Sequence, residues 1–423
     1  MTPHEPTPER PGLSAAARAV VAALAVLALA WCAWASLRDG ASRMISDYAV
    51  RARVPAAAYS AAQLTPEDPE AHYALAGLLA DTGDAAGAAR SYDRAVALRP
   101  RDYVIRLELG KVKDEAGDSE GALEEFRAGA RLAPYYAQPR WQLGNALLRA
   151  GRRGEAVEEL RRAAESDPGL YPNFVQTLWY AGGRDPQSLA LEARPRTPDE
   201  TLTVVRFLIK AGAAGDGVRV LRQSAAAPSE EARRALLSDL LNAGDYADAY
   251  DIWSGGRGTG RGAVADGGFE AEARTDDEGF GWRFARDAAA LSLSLDAESP
   301  RQGARSLRVE FAGNSDPSAA PVSQLVVVEP GARYRLSFSA RTKELITGGP
   351  PFLQVNSAAR GEALASSPAF APGTSGWRDY SVEFTAPAGA EAVRLSLRRQ
   401  ACASSPCPAF GSVWLDAFEL KRL

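Results

Sequence analysis

Residues 103–136, YVIRLELGKVKDEAGDSEGALEEFRAGARLAPYY, decide how the middle of this chain folds. They hold two apolar-periodic runs, a glycine between them at Gly117, and Pro134 at the end of the second run. The pattern recurs at 34-residue intervals in Pro66, Pro100, Pro134 and Pro168, in Gly83, Gly117 and Gly151, in Leu75, Leu109 and Leu143, and in Ala88, Ala122 and Ala156. A large residue repeats at Tyr92, Phe126 and Leu160, and small ones at Ala76, Gly110 and Gly144 and at Ala95, Gly129 and Ala163. Each unit therefore reads as two amphipathic helices with apolar residues three and four apart. The glycine ends the first helix, the small residues let the helices approach, and the proline stops the second. No unit can bury its apolar face alone, so neighbours must stack.

Residues 69–102, 103–136 and 137–170 resemble the tetratricopeptide repeat at its small, aromatic and proline positions. The tryptophan usual early in the first helix is replaced by His72, Arg106 and Arg140. Weaker units flank these three within an array spanning 45–254. Residues 45–64 read as a lone helix leading to Pro66, and 171–193 as a fourth unit cut short by Gly182, Gly183 and Pro186. Residues 199–224 and 229–253 read as two more hairpins, turning at Gly212 and Gly244. The resemblance implies a concave face, made by the first helix of each unit, that takes a peptide or partner protein. The matching positions are Tyr73, Gly77, Leu107, Lys111, Trp141 and Asn145. Only Lys111 and Asn145 match the family's carboxylate clamp, which leaves a C-terminal carboxylate ligand unsupported. The competing reading of Tyr73 and Trp141 is packing against neighbouring helices.

Upstream, residues 1–18 read as a disordered tail, with prolines at 3, 6, 8 and 11. Ala19 to Leu37 carries no charge and is long enough to span a bilayer core. Trp31 and Trp34 suit its interfacial belt. An uncleaved anchor is the first reading; cleavage at Ala33-Trp34-Ala35, with export, is the alternative. Leu29 to Cys32 lacks the small residue a lipobox needs before the cysteine, so lipidation is rejected. Orientation is contested. Arg10 and Arg18 precede the segment while Arg38, Arg43, Arg51 and Arg53 follow it, which favours a cytoplasmic C-terminal side. The C-terminal region argues for the opposite: a single-pass inner-membrane protein with its bulk periplasmic.

Residues 255–263 read as a glycine-rich linker. Beyond it, over 264–423, the period becomes two: Tyr334, Leu336, Phe338 and Ala340 alternate with polar neighbours, as do Val393, Leu395 and Leu397. About ten short strands with Gly, Pro and Ser turns suggest an antiparallel sandwich. Gly267-Gly268-Phe269-Glu270, Gly281-Trp282-Arg283-Phe284, Gly303 to Val309, Gly331 to Phe338, Gly376 to Tyr380 and Val413 to Leu420 follow in series. The series resembles a jelly-roll carbohydrate-binding module of the galactose-binding-like kind. The resemblance implies a structural calcium held by Glu270 and Asp416, with carbonyls near Ser306, and polysaccharide as a possible ligand. Phe352 and Tyr380 are the candidate sugar platform; Trp282, Trp377 and Trp414 are expected in the core. Cys402 and Cys407 form a close pair suited to a disulfide in an oxidising compartment, two free thiols being the alternative.

The fold class is thus a multidomain chain: transmembrane helix, all-α helical-hairpin solenoid, all-β jelly roll. Lys plus Arg is 49 against 53 Asp plus Glu, a net charge of -4, which argues against nucleic acid. Two histidines and three cysteines leave little material for a histidine triad, a zinc site or haem. The expectation is a non-catalytic envelope protein whose repeats hold a protein partner and whose sandwich contacts glycan or protein, in surface polysaccharide assembly. The alternatives are a scaffold without sugar affinity, and a glycan-active hydrolase drawing on Glu270, Glu310, Asp379, Glu383 and Asp416, among which no acid/base pair stands out.

Overall fold

A computed structural model describes residues 14–224, 228–255, 262–271, 279–284, 290–403 and 405–423. Most of the expected tail and most of the expected linker lie outside these residues. The chain divides between Arg184 and Asp185 into two compact units.

The first unit begins with α1 (Ala15–Ala52), one unbroken helix that contains the whole apolar segment and continues past it. It ends where Arg53 takes a left-handed conformation, φ 53°, and Pro55 opens α2 (Pro55–Leu64) at a first-turn position where no N–H is needed. The expected lone helix over 45–64 is therefore corrected: it is the end of α1 folded back against α2. Ser42, fully buried on α1, bonds the Ala61 carbonyl and lies 2.5 Å from the Thr65 hydroxyl, which ties this hairpin shut.

Three hairpins follow: α3 (Pro69–Asp81) with α4 (Ala85–Leu98), α5 (Tyr103–Glu115) with α6 (Ser119–Leu132), and α7 (Ala137–Arg149) with α8 (Arg153–Ser166); α9 (Tyr171–Ala181) closes the unit. Each hairpin turns through a left-handed glycine, with φ of 84° at Gly83 and Gly117 and 74° at Gly151. The next residue's N–H returns to a carbonyl five residues back, Asp84 to Leu79, Asp118 to Lys113 and Arg152 to Leu147, each at 2.9 Å. This is the glycine-closed helix ending that uses up orphan carbonyls. Asp84 and Asp118 then cap the following helix, accepting from Gly87 and Gly121 N–H. The repeated small residues sit under the large ones. A Cβ on Gly110 would lie 2.8 Å from the Phe126 ring, and one on Gly144 2.6 Å from Leu160.

The residues that stand in place of the family's tryptophan have a common job. His72 Nε2 lies 3.1 Å from the Pro66 carbonyl, Arg106 Nε donates to Pro100 at 3.3 Å, and Arg140 Nε donates to Pro134 at 3.1 Å. The two arginines also pair with Glu125 and Glu159, each at 2.8 Å. The proline turn is thereby stapled to the next helix by a polar side chain.

The second unit starts with α10 (Pro186–Ala193), then α11 (Pro198–Lys210) with α12 (Ala214–Gln223), and α13 (Glu230–Ala243) with α14 (Tyr246–Ser254). Ten strands follow: β1 (Arg283–Phe284), β2 (Leu291–Asp296), β3 (Ser306–Asn314), β4 (Val322–Val327), β5 (Arg333–Thr347), β6 (Pro351–Ser357), β7 (Ala363–Ser366), β8 (Gly373–Thr385), β9 (Ala392–Arg399) and β10 (Pro408–Arg422). They form two five-stranded antiparallel sheets, ordered β1-β4-β9-β6-β7 and β2-β3-β10-β5-β8. One core lies between them, drawn from Val309, Phe338, Leu353, Val355, Val393, Leu395, Val413 and their neighbours. Helices and sheet also share a core: Val205, Ile209, Leu236, Leu240 and Ala249 cluster with Phe280, with Leu325 and Val327 of β4 and with Ala392 of β9. The Glu391 carboxylate accepts from Ala247 N–H, giving α14 an N-terminal cap from the sandwich. The helices over 186–254, which follow the repeat pattern, are thus packed as part of the sandwich unit.

Candidate functional sites

The first site is a groove of about 740 Å³ on the repeat unit, walled by the end of α1, by α3 and α5, and by Tyr92 of α4. Tyr73, Gly77 and Lys111 line it. Tyr73 and Tyr92 meet edge to face with ring centres 5.6 Å apart. Burial pushes the Tyr73 phenol above its ordinary range, with Glu108, Asp102 and Glu70 acting in the same direction, so it stays a protonated donor. Burial pushes Tyr92 up as well. Lys111 is paired with Glu108 at 2.7 Å.

The other expected groove residues lie elsewhere. Leu107 is corrected to the core: it is 1% exposed and packs toward Gly129 between α5 and α6. Trp141 and Asn145 are half-buried on α7 and are not among the lining residues, and the Asn145 amide donates to the Trp141 carbonyl of its own helix. Three lining residues that the sequence reading did not single out are Ser46, Asp81 and Glu115. The two acids stand 34 residues apart, in the repeat register, which is the signal that exposes them.

The second site is the outer face of the sheet β2-β3-β10-β5-β8. Val413 and Leu415 of β10 point into the core, so Trp414 between them points out. It is buried there under two arginines: Arg341 lies 4.1 Å and Arg308 5.3 Å from its ring centre. Arg341 is also 5.5 Å from the Trp377 ring. The Trp414 indole donates to Asp296 at 2.6 Å and that of Trp377 to the Ser299 carbonyl at 3.0 Å. The expectation that Trp282, Trp377 and Trp414 all belong to the core is corrected. Trp282 packs inside, tilted against Phe269 and edge to face with Phe418, whereas Trp377 and Trp414 form an outer cation–π ladder with Arg341 and Arg308.

The expected platform residues do not share a surface. Tyr380 points inward, stacked on Phe338 at 5.3 Å and against Phe370. Phe352 alternates with core Leu353 and faces the opposite way, on the other sheet.

Glu270 and Asp416 do converge. A Cβ on Gly268 would lie 3.9 Å from an oxygen of each. The segment expected to offer carbonyls offers N–H groups: Arg301 and Gln302 donate to Asp416, Ala304 and Arg305 to Glu270. Asp416 is fully buried, and that burial raises its pKa above the ordinary carboxylate range, with Glu270 acting the same way. Among the described residues no cluster of three or more His, Cys, Asp or Glu stands ready for a metal. The remaining acids named for a hydrolase have partners: Glu310 with Arg308, Asp379 with Ser339 and Arg301, Glu383 with Arg333 and Arg335.

Cys402 and Cys407 are joined as a disulfide, with Cα atoms 5.5 Å apart. Beside it lies Arg399, 7% exposed, whose guanidinium donates to Gly349, Ser315, Thr347, Cys407 and Pro408. This buried cation fastens three loops at one end of the sandwich, and alternation alone gave no hint of it.

The tetratricopeptide repeat family matches residues 137–169, so the α7–α8 unit is a repeat of that type. No curated protein matches the chain. Among solved structures, MamA 41-end from Desulfovibrio magneticus RS-1 is 21% identical over 45% of this chain and 98% of that one, with a TM-score of 0.33. Pseudomonas aeruginosa PilF is 17% identical over 44% of this chain and 89% of that one, TM-score 0.32. CBM4 is 12% identical over 38% of this chain and 99% of that one, TM-score 0.28.

Proposed function

We propose that this chain is a non-catalytic, membrane-anchored envelope scaffold. Its repeats hold a partner protein, and its jelly-roll sandwich, facing the periplasm, contacts glycan or protein in surface polysaccharide assembly. One observation carries the reading. The helix long and apolar enough to cross a membrane is the same helix whose far end walls the groove. Anchor and binding surface are then one rigid element. The sugar part draws support from half-buried Trp377, an indole on the outer face of the sheet beside the covered Trp414. A scaffold without sugar affinity is the second reading, favoured by the cover that Arg308 and Arg341 place over Trp414. A calcium ion held by Glu270 and Asp416 belongs to the same proposal. The carboxylates lie near each other, and an ion would offset their mutual repulsion once they are released from the backbone N–H groups of residues 301–305 that now satisfy them.

Alkaline phosphatase and a cytoplasmic reporter fused after Leu423 test the topology. Phosphatase activity alone is expected; cytoplasmic reporter activity alone would reverse the orientation. Crosslinking the full chain in membranes tests the partner, and a glycan array separates the two readings of the sandwich.

A further inference from the structure

We infer that the groove walled by α1, α3 and α5 receives a lysine- or arginine-rich segment of the partner, an inference that rests on the partner reading above. Five carboxylates line it, Asp47, Glu70, Asp81, Glu108 and Glu115, against two cations, Arg43 and Lys111. Internal pairs account for most of these: Asp47 with Arg51, Glu70 with Arg99, Glu108 with Lys111, and Arg43 with Asp68. Asp81 and Glu115 have no ion pair or hydrogen bond among the described residues. The charge left over in the groove is therefore negative.

Two further observations point to a ligand. Asp81 is the last residue of α3 and Glu115 the last of α5. The negative end of a helix dipole disfavours an acid at that position. Two exposed acids placed against the dipole, in repeat register and on one groove, conflict with local stability, and such conflicts gather at functional sites. The second observation is Ser46. It lines the groove, is 7% exposed, and its hydroxyl has no hydrogen-bond partner among the described residues. A buried hydroxyl left unsatisfied is disfavoured. A cationic N–H entering the groove supplies the missing donor, and the two helix-end acids supply the countercharge. Half-buried Tyr73, braced from behind by buried Tyr92, offers its ring to the stem of the same side chain.

The test uses the full chain in nonionic detergent and fluorescein-labelled octalysine. Binding is expected, weakened about tenfold (about 1.4 kcal/mol) by Asp81→Asn with Glu115→Gln. The same pair should leave the unfolding midpoint unchanged or raised, which separates lost binding from lost folding. Ser46→Ala should likewise weaken binding without destabilising. Glu120→Gln with Glu124→Gln, exposed acids on α6 outside the groove, should change binding less than about twofold. Absent octalysine binding overturns the inference, as does an equal loss in the α6 variant. Spermine competing as well as unlabelled octalysine would mean a polyamine site and would overturn the peptide assignment. Crosslinking that captures a partner equally well with the Asp81/Glu115 variant overturns this inference while leaving the partner reading intact. Failure of the wild type to capture any partner removes the partner reading instead.

Discussion

Replacing Gly144 by alanine sets two known effects against each other inside one hairpin. Alanine in a helix interior is favoured over glycine by about 0.8–1.0 kcal/mol. At Gly144 the new methyl would stand 2.6 Å from Leu160 Cγ, 2.8 Å from its Cδ2 and 3.2 Å from its backbone nitrogen. Leu160 is fully buried, so it has no free space to retreat into. Overpacking of this kind is destabilising by about 1–3 kcal/mol, and the net expectation is a loss of about 1 kcal/mol. Leu160→Ala alone should be destabilising by about 2–5 kcal/mol. It also removes the two atoms in the closest contacts. In that background Gly144→Ala should become neutral or stabilising, so the sign of its effect reverses. Urea unfolding of the four full-length proteins in detergent, followed by far-UV circular dichroism, closes the double-mutant cycle. If Gly144→Ala has the same effect with and without Leu160, the close approach of α7 and α8 is not what selects glycine, and the packing argument fails.

Arg140→Ala removes both the bond to the Pro134 carbonyl and the pair with Glu159, each partner 18% exposed at the side chain. A loss of about 1–2 kcal/mol is expected in the same urea assay, and an unchanged midpoint would show that the staple is ornamental. Trp414→Ala should lower the sandwich's stability by about 3–5 kcal/mol although the residue lies on the outer face, with Trp377→Ala costing less; equal small effects would mean the ladder carries no packing. Calcium should raise the melting midpoint of the full chain relative to a chelator, by mass action. Burial raises the folded-state pKa of Asp416, so its ionised form is penalised above that value and the penalty is relieved as pH falls through it. Calcium needs the ionised form, and its effect should fade over the same fall in pH. An identical midpoint with calcium and chelator at pH 7, with no metal by elemental analysis, removes the site.

The repeat geometry was legible because each environment recurs. Gly83, Gly117 and Gly151 meet the same left-handed requirement three times, and the 34-residue spacing shows it without coordinates. Pro55 was equally available as the signal that splits residues 45–64 into two helices. Trp414 was not legible, because Val413, Trp414 and Leu415 are all apolar and alternation cannot say which of them points inward. Nor was the division at Arg184. Hairpins over 198–254 need an apolar face whether a helix or a sheet covers it, and only Leu325, Val327 and Ala392 reveal that a sheet does. The groove acids were not legible because Asp81 and Glu115 are ordinary surface acids in sequence and matter only through where their helices end.

The continuity of α1 links these local facts. An α-helix rises about 1.5 Å per residue, so Arg43, where the groove wall begins, lies about 9 Å along the axis from Leu37, where the apolar run stops. Arg38 pairs with the adjacent Asp39 and leans over the Trp34 ring at 5.2 Å, an arrangement suited to the boundary between hydrocarbon and water. Within α1 itself there is no loop between this boundary and the buried Ser42, Ser46 and Ala49 that seat the helix in the repeats. If α1 spans the bilayer as proposed, the groove sits at the membrane surface with no flexible tether. A partner held there is presented at a fixed height and orientation. That geometry favours a partner that is itself membrane-bound or works at the membrane, and a cationic segment close to anionic headgroups would meet the groove's carboxylates as competitors for the same charge.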